Sequence, residues 1–452
     1  MLAMIGHAHA GAAPDTLQIG QFGTVHVYRP AGAAQRMVIF LSGDGGWRGG
    51  VVDMAGKLSA QGALVAGIDT QQYLRDVNGS SVSCAYPGAD FERLARLVQQ
   101  QAGLAEYHYP ILVGYAAGAS LVYALLNQTA TGTFAGGLSL GFCPRLQLAK
   151  PLCKRGQLSF RPLSKGTGVT LLPATRMNDP WIVLQGEQDR ACDATAARSY
   201  TAGIPGATLV SLPGVGPDYR LDKTWSPQYL AAYQALARAP QSAPPQPPPD
   251  LRDLPILELQ ATGTQNDSFV ILLTGDGGYA GMDQNISAAF NGMGQPVAVL
   301  NALKYFWKAR MPQEVANDVD RIMRYYSVAW HKRRVILVGY SQGADVMPFV
   351  INRLPAASRA TIAAAAAIAL SDGALFEFHI SNWLTDPKGV PTLPEANRIT
   401  GVPFVCIYGV EDEDSVCPAL RNSSARLVRL PGAHHFHGNY AAVAQAVLAN
   451  TR

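Results

Sequence analysis

The feature that most constrains the fold of this chain is an internal repeat. Four phrases occur twice in the same order, once in each half of the 452 residues. A repeat of about 200 residues is longer than a solenoid unit and predicts two copies of one domain. The paired phrases are VIFLSGDGGW (38–47) and VILLTGDGGY (270–279), ILVGYAAGAS (111–120) and ILVGYSQGAD (336–345), IVLQGEQDRAC (182–192) and VCIYGVEDEDSVC (405–417), and LPGVGPDY (212–219) and LPGAHHFHGNY (430–440).

The two copies are separated by APQSAPPQPPPD, residues 239–250, which contains six prolines and no large apolar side chain. Such a stretch predicts a stiff polyproline II spacer. The residues before position 16 end in small residues after an Ala-His-Ala and resemble the end of a secretory signal. We therefore divide the sequence into a signal-like remnant (1–15), a first domain (16–238), the linker (239–250) and a second domain (251–452).

Each half alternates short apolar runs with helical patterns. In the second half FVILLTG, PVAVLNA, RVILVGY, AAAAIAL and PFVCIYG lack polar alternation, as strands buried on both faces of a parallel sheet do, and PQEVANDVDRIMRYYSVAW has helical spacing. The pattern predicts a doubly wound α/β sheet in each half. Together with the Gly-Tyr-Ser-Gln-Gly turn in the second pair of phrases, it predicts two tandem α/β-hydrolase-like domains, each a mostly parallel sheet flanked by helices. A composition of 48% hydrophobic and 15% charged residues excludes general disorder, and no apolar run reaches the roughly 18 residues of a membrane span.

The second pair of phrases contains a nucleophile turn. Ser341 lies in Gly-Tyr-Ser-Gln-Gly between a predicted strand and a predicted helix, where an α/β-hydrolase presents its catalytic serine. The first half has Ala116 at the matching position. A serine needs a base and an orienting acid, and the third and fourth phrases supply acids and histidines in the order Ser, Asp, His.

Two acids and several histidines compete for these roles. Alignment of the halves on Cys192 and Cys417 selects Asp414, whereas alignment on the glycines of the third phrase selects Asp412. We prefer Asp414. Of the histidines in HHFH we prefer His435, which immediately precedes an aromatic residue. The alternates are His434 and, ranked lower, His437, and a solvated or opportunistic metal-binding role for these histidines stays open.

The first half keeps an acid at Asp189 but has neither the serine nor a histidine in its fourth phrase. Two of three triad groups are missing, so we predict a pseudoenzyme domain.

Two further groups of residues follow from the same comparison. The GDGG phrase occurs in both halves, so its aspartate is expected to serve the loop itself, while the backbone N–H groups of Gly275, Asp276 and Gly277 and that of Gln342 are candidates for an oxyanion hole. Asp345 is matched by Ser120 in the first half, which suggests either recognition of a cationic substrate or a favourable charge at a helix start.

The six cysteines suggest an oxidising compartment. We expect disulfides between Cys143 and Cys153 and between Cys406 and Cys417, which are close in sequence, with Cys84 and Cys192 as a possible third. No Cys-x-x-Cys spacing is present, so a zinc ribbon is not expected.

LTGDGGY, NALKYFWKARMPQEVANDVDRI, VGYSQGADVMPF, YGVEDEDSVC and LPGAHHFHGNY together resemble the VirJ/AcvB family of bacterial virulence proteins, and the two-domain layout resembles its longer AcvB branch. The resemblance implies a periplasmic esterase that hydrolyses aminoacyl-phosphatidylglycerol, chiefly the lysyl ester. We expect no cofactor and no metal. It implies Ser341, Asp414 and His435 as the triad. The family usually has an acid where this chain has His437.

The distribution of charged and aromatic residues suggests where a lipid substrate would bind. Residues 1–250 contain 19 Lys and Arg against 15 Asp and Glu, whereas residues 251–452 contain 17 of each, so the net charge of +4 lies in the first half. The stretch 145–165 has six basic residues and no acid, and it is either an attachment site for an anionic bilayer or a solvated loop. We expect no direct nucleic-acid binding. The aromatic candidates for a substrate entrance, for which core packing is the alternative, are Tyr305, Phe306, Trp307, Phe376, Phe378 and Trp383.

Three functions remain open on the sequence: an esterase of aminoacylated phospholipid, a hydrolase of another ester, and a secretion-associated binding protein with vestigial catalysis.

Overall fold

The computed structural model describes residues 14–80, 84–153, 156–220, 222–239, 248–261, 266–377, 389–421 and 425–451. The chain divides into two compact units, Met1–Gln241 and Ser242–Arg452. The division falls within the proline-rich stretch. The signal-like remnant and the linker lie largely outside the described residues.

The first unit is built on an eight-stranded sheet in the order β1-β2-β4-β3-β5-β6-β10-β11, with a small three-stranded sheet β7-β9-β8. β1 and β2 are antiparallel to their neighbours, and the other strands of the large sheet are parallel. The strands are β1 (Asp15–Ile19), β2 (Gly23–Tyr28), β3 (Arg36–Leu41), β4 (Ala63–Ile68), β5 (Ile111–Tyr115), β6 (Gly136–Leu140), β7 (Arg145–Leu146), β8 (Phe160–Pro162), β9 (Val169–Leu171), β10 (Trp181–Gly186) and β11 (Ala207–Leu212). The helices are α1 (Gly50–Ala60), α2 (Thr70–Gly79), α3 (Pro87–Gln101), α4 (Ala117–Gln128), α5 (Ala194–Ala202) and α6 (Ser226–Arg238), with a 3-10 helix at Gly20–Phe22.

The second unit contains a seven-stranded sheet in the order β12-β14-β13-β15-β16-β19-β20 and a two-stranded β17-β18 ribbon. β12 is antiparallel to β14, and the remaining strands of the large sheet are parallel. The strands are β12 (Ile256–Leu259), β13 (Ser268–Leu273), β14 (Val297–Leu300), β15 (Arg334–Tyr340), β16 (Ile362–Ile368), β17 (Gly373–Ala374), β18 (Val390–Pro391), β19 (Phe404–Gly409) and β20 (Ala425–Leu430). The helices are α7 (Gly281–Gly292), α8 (Ala302–Tyr305), α9 (Pro312–Ala329), α10 (Gln342–Arg353), α11 (Ala356–Ala360), α12 (Thr392–Asn397) and α13 (Tyr440–Leu448), with 3-10 helices at Pro249–Leu251, Cys417–Ala419 and Phe436–Gly438.

Six parallel strands have the same order in both units, β4-β3-β5-β6-β10-β11 in the first and β14-β13-β15-β16-β19-β20 in the second. The mixed α/β class with large, mostly parallel sheets is therefore confirmed, as are the five strands expected from apolar runs. Their burial explains the pattern: every residue of β13 and of β16 is buried, because helices cover both faces of the sheet. The edge strands β12 and β20, which are partly exposed, do not stand out in the sequence.

Helix α9 shows how sequence fixes the layers around the sheet. It begins with Pro312 at its first position, where a missing N–H costs nothing, and the N–H of Met311 donates to the carboxylate of Glu314 at 2.7 Å. Its buried face repeats at helical spacing and packs on the core with α10, which follows the nucleophile turn.

The disulfides differ from expectation in the first unit. Cys406 pairs with Cys417 as expected, but the other bridges are Cys84–Cys153 and Cys143–Cys192. The expected Cys143–Cys153 pair is wrong because the sheet brings the loops after β6 and β10 side by side, and these loops carry Cys143 and Cys192. Among the described residues, no helix has both the length and the apolar character needed to cross a membrane.

Candidate active site

Ser341 occupies a sharp turn between β15 and α10. Its backbone has φ 50° and ψ −118°, a conformation rarely adopted by residues other than glycine, and such strain typically costs about 1–3 kcal/mol. The turn requires glycine at position 343, because a Cβ there would lie 2.1 Å from the carbonyl oxygen of Leu273 in the neighbouring strand. The turn holds the serine at the carboxyl edge of the parallel sheet, where α/β proteins place their active sites.

The hydroxyl of Ser341 belongs to a chain of three hydrogen-bonded side chains. Its Oγ lies 3.1 Å from Nε2 of His434, and Nδ1 of the same ring lies 3.2 Å from Oδ2 of Asp412. The Asp412 side chain is 5% exposed and that of His434 is 35% exposed, so the acid is shielded while the base can be reached. When Nδ1–H donates to the carboxylate, the free lone pair on Nε2 accepts the serine proton.

The structure corrects our choice of acid. Asp414 is exposed, whereas Asp412 faces the histidine. The N–H of Asp412 donates to Gly409 O at 3.1 Å, and the N–H of Asp189 donates to Gly186 O at 3.2 Å, so both acids lie in the same turn after the matching strand. Alignment on the glycines is therefore the right one.

Alignment on the cysteines fails because the two cysteines have different partners. Cys192 is bonded to Cys143 across the sheet edge, whereas Cys417 is bonded to Cys406 in β19, the strand that precedes it. These sulfurs are held by different constraints and do not mark one position of the fold.

The choice of base is corrected as well. His435 is exposed and its Nδ1 lies 3.2 Å from the hydroxyl of Tyr340, not at the nucleophile. Burial, with the nearby Asp283 carboxyl adding to it, raises the pKa of Tyr340 well above its ordinary value, so the phenol remains protonated beside this ring. His437 is exposed and lies 3.2 Å from the carboxylate of Glu411.

The structure distinguishes between the backbone N–H groups that are candidates for the oxyanion hole. Gln342 is the first residue of α10, so its backbone N–H has no partner within the helix and is placed directly after the nucleophile. The N–H of Gly275 donates instead to Oδ1 of Asp283 at 3.2 Å, so our assignment of that group to the oxyanion hole is wrong. Asp276 and Gly277, which follow in the same loop, stay as candidates for the second donor.

Asp345 does not face solvent. It is 7% exposed, and its two oxygens accept hydrogen bonds from the N–H and the hydroxyl of Ser371 at 2.7 and 2.8 Å. Burial raises the pKa of Asp345 to about 7, which these two hydrogen bonds partly oppose. Ser120 makes the matching contact in the first unit, to the carbonyl of Cys143. Asp345 therefore ties α10 to the loop after β16, and our assignment of it to substrate binding is corrected.

The aromatic residues assigned to a substrate entrance are also corrected. Tyr305 and Phe306 are each 1% exposed and belong to the core, where Tyr305 donates to Asp318 at 2.6 Å. Phe306 packs edge to face on Phe376, and Trp307 is 8% exposed. Tyr305 is the last residue of the short helix α8 after β14, and Phe306 and Trp307 follow it directly. Two further candidates, Phe378 and Trp383, lie outside the described residues.

The first unit keeps the turn without the chemistry. Ala116 has φ 49° and ψ −111°, within a few degrees of Ser341. In the first unit the N–H of Gln188, after β10, donates to Val215 O, and in the second the N–H of Glu411, after β19, donates to Gly432 O, both at 3.0 Å. The two acceptors therefore mark the same position of the fold. Two residues after it the first unit has Pro217 and the second has His434. Asp189 is buried in the acid position. The described positions that match the nucleophile and the base therefore carry neither a hydroxyl nor an imidazole.

The sequence profile of the VirJ family, described as bacterial virulence protein (VirJ), matches residues 35–133 and 267–452. These segments cover more than half of the chain. The chain belongs to the VirJ family. The matched segment in the second unit contains Ser341, Asp412 and His434, whereas the match in the first unit ends before Asp189.

Three solved structures similar to this VirJ-family chain each match about half of it. An α/β serine hydrolase homologue from Coxiella burnetii is 16% identical with a TM-score of 0.33 and matches 50% of this chain and 97% of its own. A putative dienelactone hydrolase from Klebsiella pneumoniae is 14% identical with a TM-score of 0.37 and matches 50% and 98%. Est1E from Butyrivibrio proteoclasticus is 11% identical with a TM-score of 0.33 and matches 50% and 99%. No curated protein sequence matches the chain.

In this VirJ-family chain the two neighbouring acids provide a matched pair of variants. We expect Asp412→Asn to lower kcat for a small activated ester such as p-nitrophenyl acetate by about 10⁴-fold, because an amide favours the wrong tautomer of the histidine. Asp414→Asn changes an exposed side chain and should stay within about threefold of the wild type. Steady-state kinetics of both purified variants measure the difference. Equal losses, or a larger loss for Asp414→Asn, would contradict the assignment of Asp412.

Proposed function

We propose that the second unit is a serine esterase that acts through an acyl-enzyme. The observation that supports this most strongly is the chain of hydrogen bonds from Ser341 through His434 to Asp412, with distances of 3.1 and 3.2 Å. The strained nucleophile turn and the order Ser, Asp, His along the sequence support the same reaction class.

In this mechanism Ser341 Oγ attacks the ester carbonyl carbon while its proton passes to Nε2 of His434. The carboxylate of Asp412 stabilises the imidazolium that forms, and the N–H of Gln342 donates to the carbonyl oxygen as it gains negative charge. His434 then protonates the departing alcohol. A water molecule, deprotonated by the same ring, hydrolyses the acyl-enzyme and restores Ser341.

The substrate that we propose is the aminoacyl ester of aminoacylated phosphatidylglycerol, with the lysyl ester preferred. This rests on the resemblance to the AcvB branch. It is supported by the charge beside the site, since the loop that carries Asp412 also presents Glu411, Glu413 and Asp414 to solvent, and Asp276 is exposed in the GDGG loop. Exposed carboxylates attract a substrate whose aminoacyl group is cationic.

We propose a periplasmic location and a peripheral association with an anionic membrane surface. Three disulfides support an oxidising compartment. The basic stretch 145–165 supports the association, because Arg145, Arg161 and Lys165 are exposed and each basic residue near such a surface contributes about 1 kcal/mol. Two members of this stretch, Lys154 and Arg155, lie outside the described residues.

The test is a comparison of lipid vesicles. Purified full-length protein is incubated with vesicles that contain lysyl-, alanyl- or unmodified phosphatidylglycerol, and released amino acid is measured. We expect release of lysine, a slower release of alanine, and no release by Ser341→Ala. Binding to phosphatidylglycerol vesicles, measured by sedimentation at low and high salt, should weaken as salt rises because the surface charge is screened.

The outcomes separate the alternatives. Hydrolysis of p-nitrophenyl acetate without release from any aminoacyl lipid would keep the esterase and reject the substrate. No hydrolysis of any ester by the folded protein would reject the enzyme and favour the secretion-associated binding protein. Binding that does not respond to salt would reject the electrostatic membrane association.

A further inference from the structure

The second unit contains a buried carboxyl group for which the triad has no use. Asp283 lies in the first turn of α7 and is 4% exposed, and its helix neighbours Met282 and Ile286 belong to the same core cluster as Tyr340. Its Oδ1 accepts the N–H of Gly275 at 3.2 Å. Burial raises the pKa of Asp283 well above its ordinary value, so this is an unfavourable place for a carboxyl group. A buried carboxyl group lowers the stability of the fold unless its hydrogen bonds offset the cost of burial, so its presence here indicates a specific role.

The first unit shows what this position looks like without catalysis. Val51 lies eight residues after Gly43, and Asp283 lies eight residues after Gly275. The buried faces of the two helices match at this register. The matching buried residues are Val51, Met54, Ala55 and Leu58 in α1, and Asp283, Ile286, Ser287 and Phe290 in α7, while Ser59 and Met282 are buried without a buried counterpart. A valine therefore occupies the carboxyl's position in the unit that lacks the triad.

The loop itself does not need the carboxyl group. The N–H of Gly46 donates to Gly43 O at 3.1 Å, the N–H of Gly278 donates to Gly275 O at 3.0 Å, and the last glycines of both loops have φ near 74°. In each unit a hydroxyl also donates to the same carbonyl, from Ser42 directly after β3 in one and from Thr274 directly after β13 in the other. The carbonyl end of this glycine is thus held identically in both units.

The difference lies at the N–H end of the glycine. In the second unit Asp283 holds the N–H of Gly275, and that peptide lies beside the nucleophile, since a Cβ on Gly275 would lie 3.5 Å from Cβ of Ser341. The N–H of Gly275 belongs to the Thr274–Gly275 peptide and its carbonyl to the Gly275–Asp276 peptide. Hydrogen bonds at both groups therefore hold the two peptide planes that flank Gly275, and these planes set the direction of the N–H groups of Asp276 and Gly277. Donors aimed at a developing oxyanion act only when they are held in place before the reaction.

We propose that Asp283 is a positioning residue that fixes the Gly275 peptide and thereby aims the second oxyanion donor of the loop at the substrate. This inference rests on the proposed esterase function. It deepens that function by assigning the difference between the two GDGG loops to transition-state stabilisation.

The experiment uses the full-length protein and three variants. Asp283→Val copies the first unit and removes the acceptor, Asp283→Asn retains an acceptor oxygen for the N–H, and Asn285→Val changes an exposed residue on the same turn of α7. We expect Asp283→Val to lower kcat for p-nitrophenyl acetate by about 100-fold with little change in KM, because misaimed donors weaken only the transition state. Asp283→Asn should recover to within about tenfold of the wild type, and Asn285→Val should match the wild type. The rate of Ser341 labelling by a fluorophosphonate should fall in the same order.

Thermal unfolding separates this role from a purely structural one. The valine variant should unfold at a temperature equal to or above that of the wild type, because the site accepts valine in the first unit. Loss of its fold, a wild-type kcat, or an asparagine variant as slow as the valine variant would each overturn the proposal. If the wild-type protein shows no hydrolysis that depends on Ser341, the esterase proposal itself fails. This outcome is distinct from those that overturn only the role of Asp283.

Discussion

Replacement of Ser341 by alanine is expected to lower kcat by about a millionfold and leave the fold intact. Without the hydroxyl no acyl-enzyme forms, and losses of this size accompany removal of a nucleophile from a triad. The fold should persist because Ala116 adopts nearly the same strained backbone in the first unit, with φ 49° against 50°. Steady-state hydrolysis of p-nitrophenyl acetate measures the loss, and thermal unfolding checks the fold. Wild-type turnover by the folded variant would remove Ser341 from the mechanism.

The first unit supplies a control for this variant. Addition of Ala116→Ser to Ser341→Ala places a serine in an intact nucleophile turn, with Asp189 still in the acid position. Activity should not return, because Pro217 stands where the base belongs and cannot accept the serine proton. A fluorophosphonate should likewise leave the double variant unlabelled. Restored hydrolysis or stoichiometric labelling would show that the first unit contains a base in another place.

The sequence predicts those parts of the structure that depend on local pattern. Strands buried on both faces appear as unbroken apolar runs, so β13 and β16 are recognisable without further information. The nucleophile turn is recognisable because its geometry excludes side chains at fixed positions, as Gly343 shows. Because the two halves repeat the same phrases, an inference about one unit applies to the matching positions of the other.

The sequence does not predict which members of a cluster meet in space. Four acidic residues occur within 411–414, and their order says nothing about which side chain turns inward after the strand. The hydrogen bond from the Asp412 N–H to Gly409 O decides this, and the equivalent turn at Asp189 is the corresponding signal in the first unit. The aromatic residues mislead for a related reason, because an aromatic side chain after a strand fits a substrate entrance as well as a core, and the sequence does not show that Tyr305, Phe306 and Trp307 are all buried.

Asp283 does not emerge from the repeated phrases because it is a difference between the two units. Its signal is the buried face of α7, where an acid stands at a position that helical spacing assigns to the core. Buried acids are rare unless they have a partner, so the contrast between this acid and Val51 in the first unit is itself informative.

The adjacent histidines give the second large expected effect. His434→Ala should lower kcat by about a millionfold, since it removes the only group that lies within hydrogen-bonding distance of Ser341 Oγ among the side-chain contacts of the described residues. His435→Ala should cost about tenfold or less, because it removes the contact with the Tyr340 hydroxyl, and one such hydrogen bond contributes about 1 kcal/mol. His437→Ala, which alters an exposed ring beside Glu411, serves as the control and should leave kcat unchanged. The three variants are compared by kcat on p-nitrophenyl acetate at one pH, with thermal unfolding to confirm that each is folded. A loss for His435→Ala that exceeds the loss for His434→Ala would transfer the role of base to His435 and require the loop after β20 to rearrange in the working enzyme.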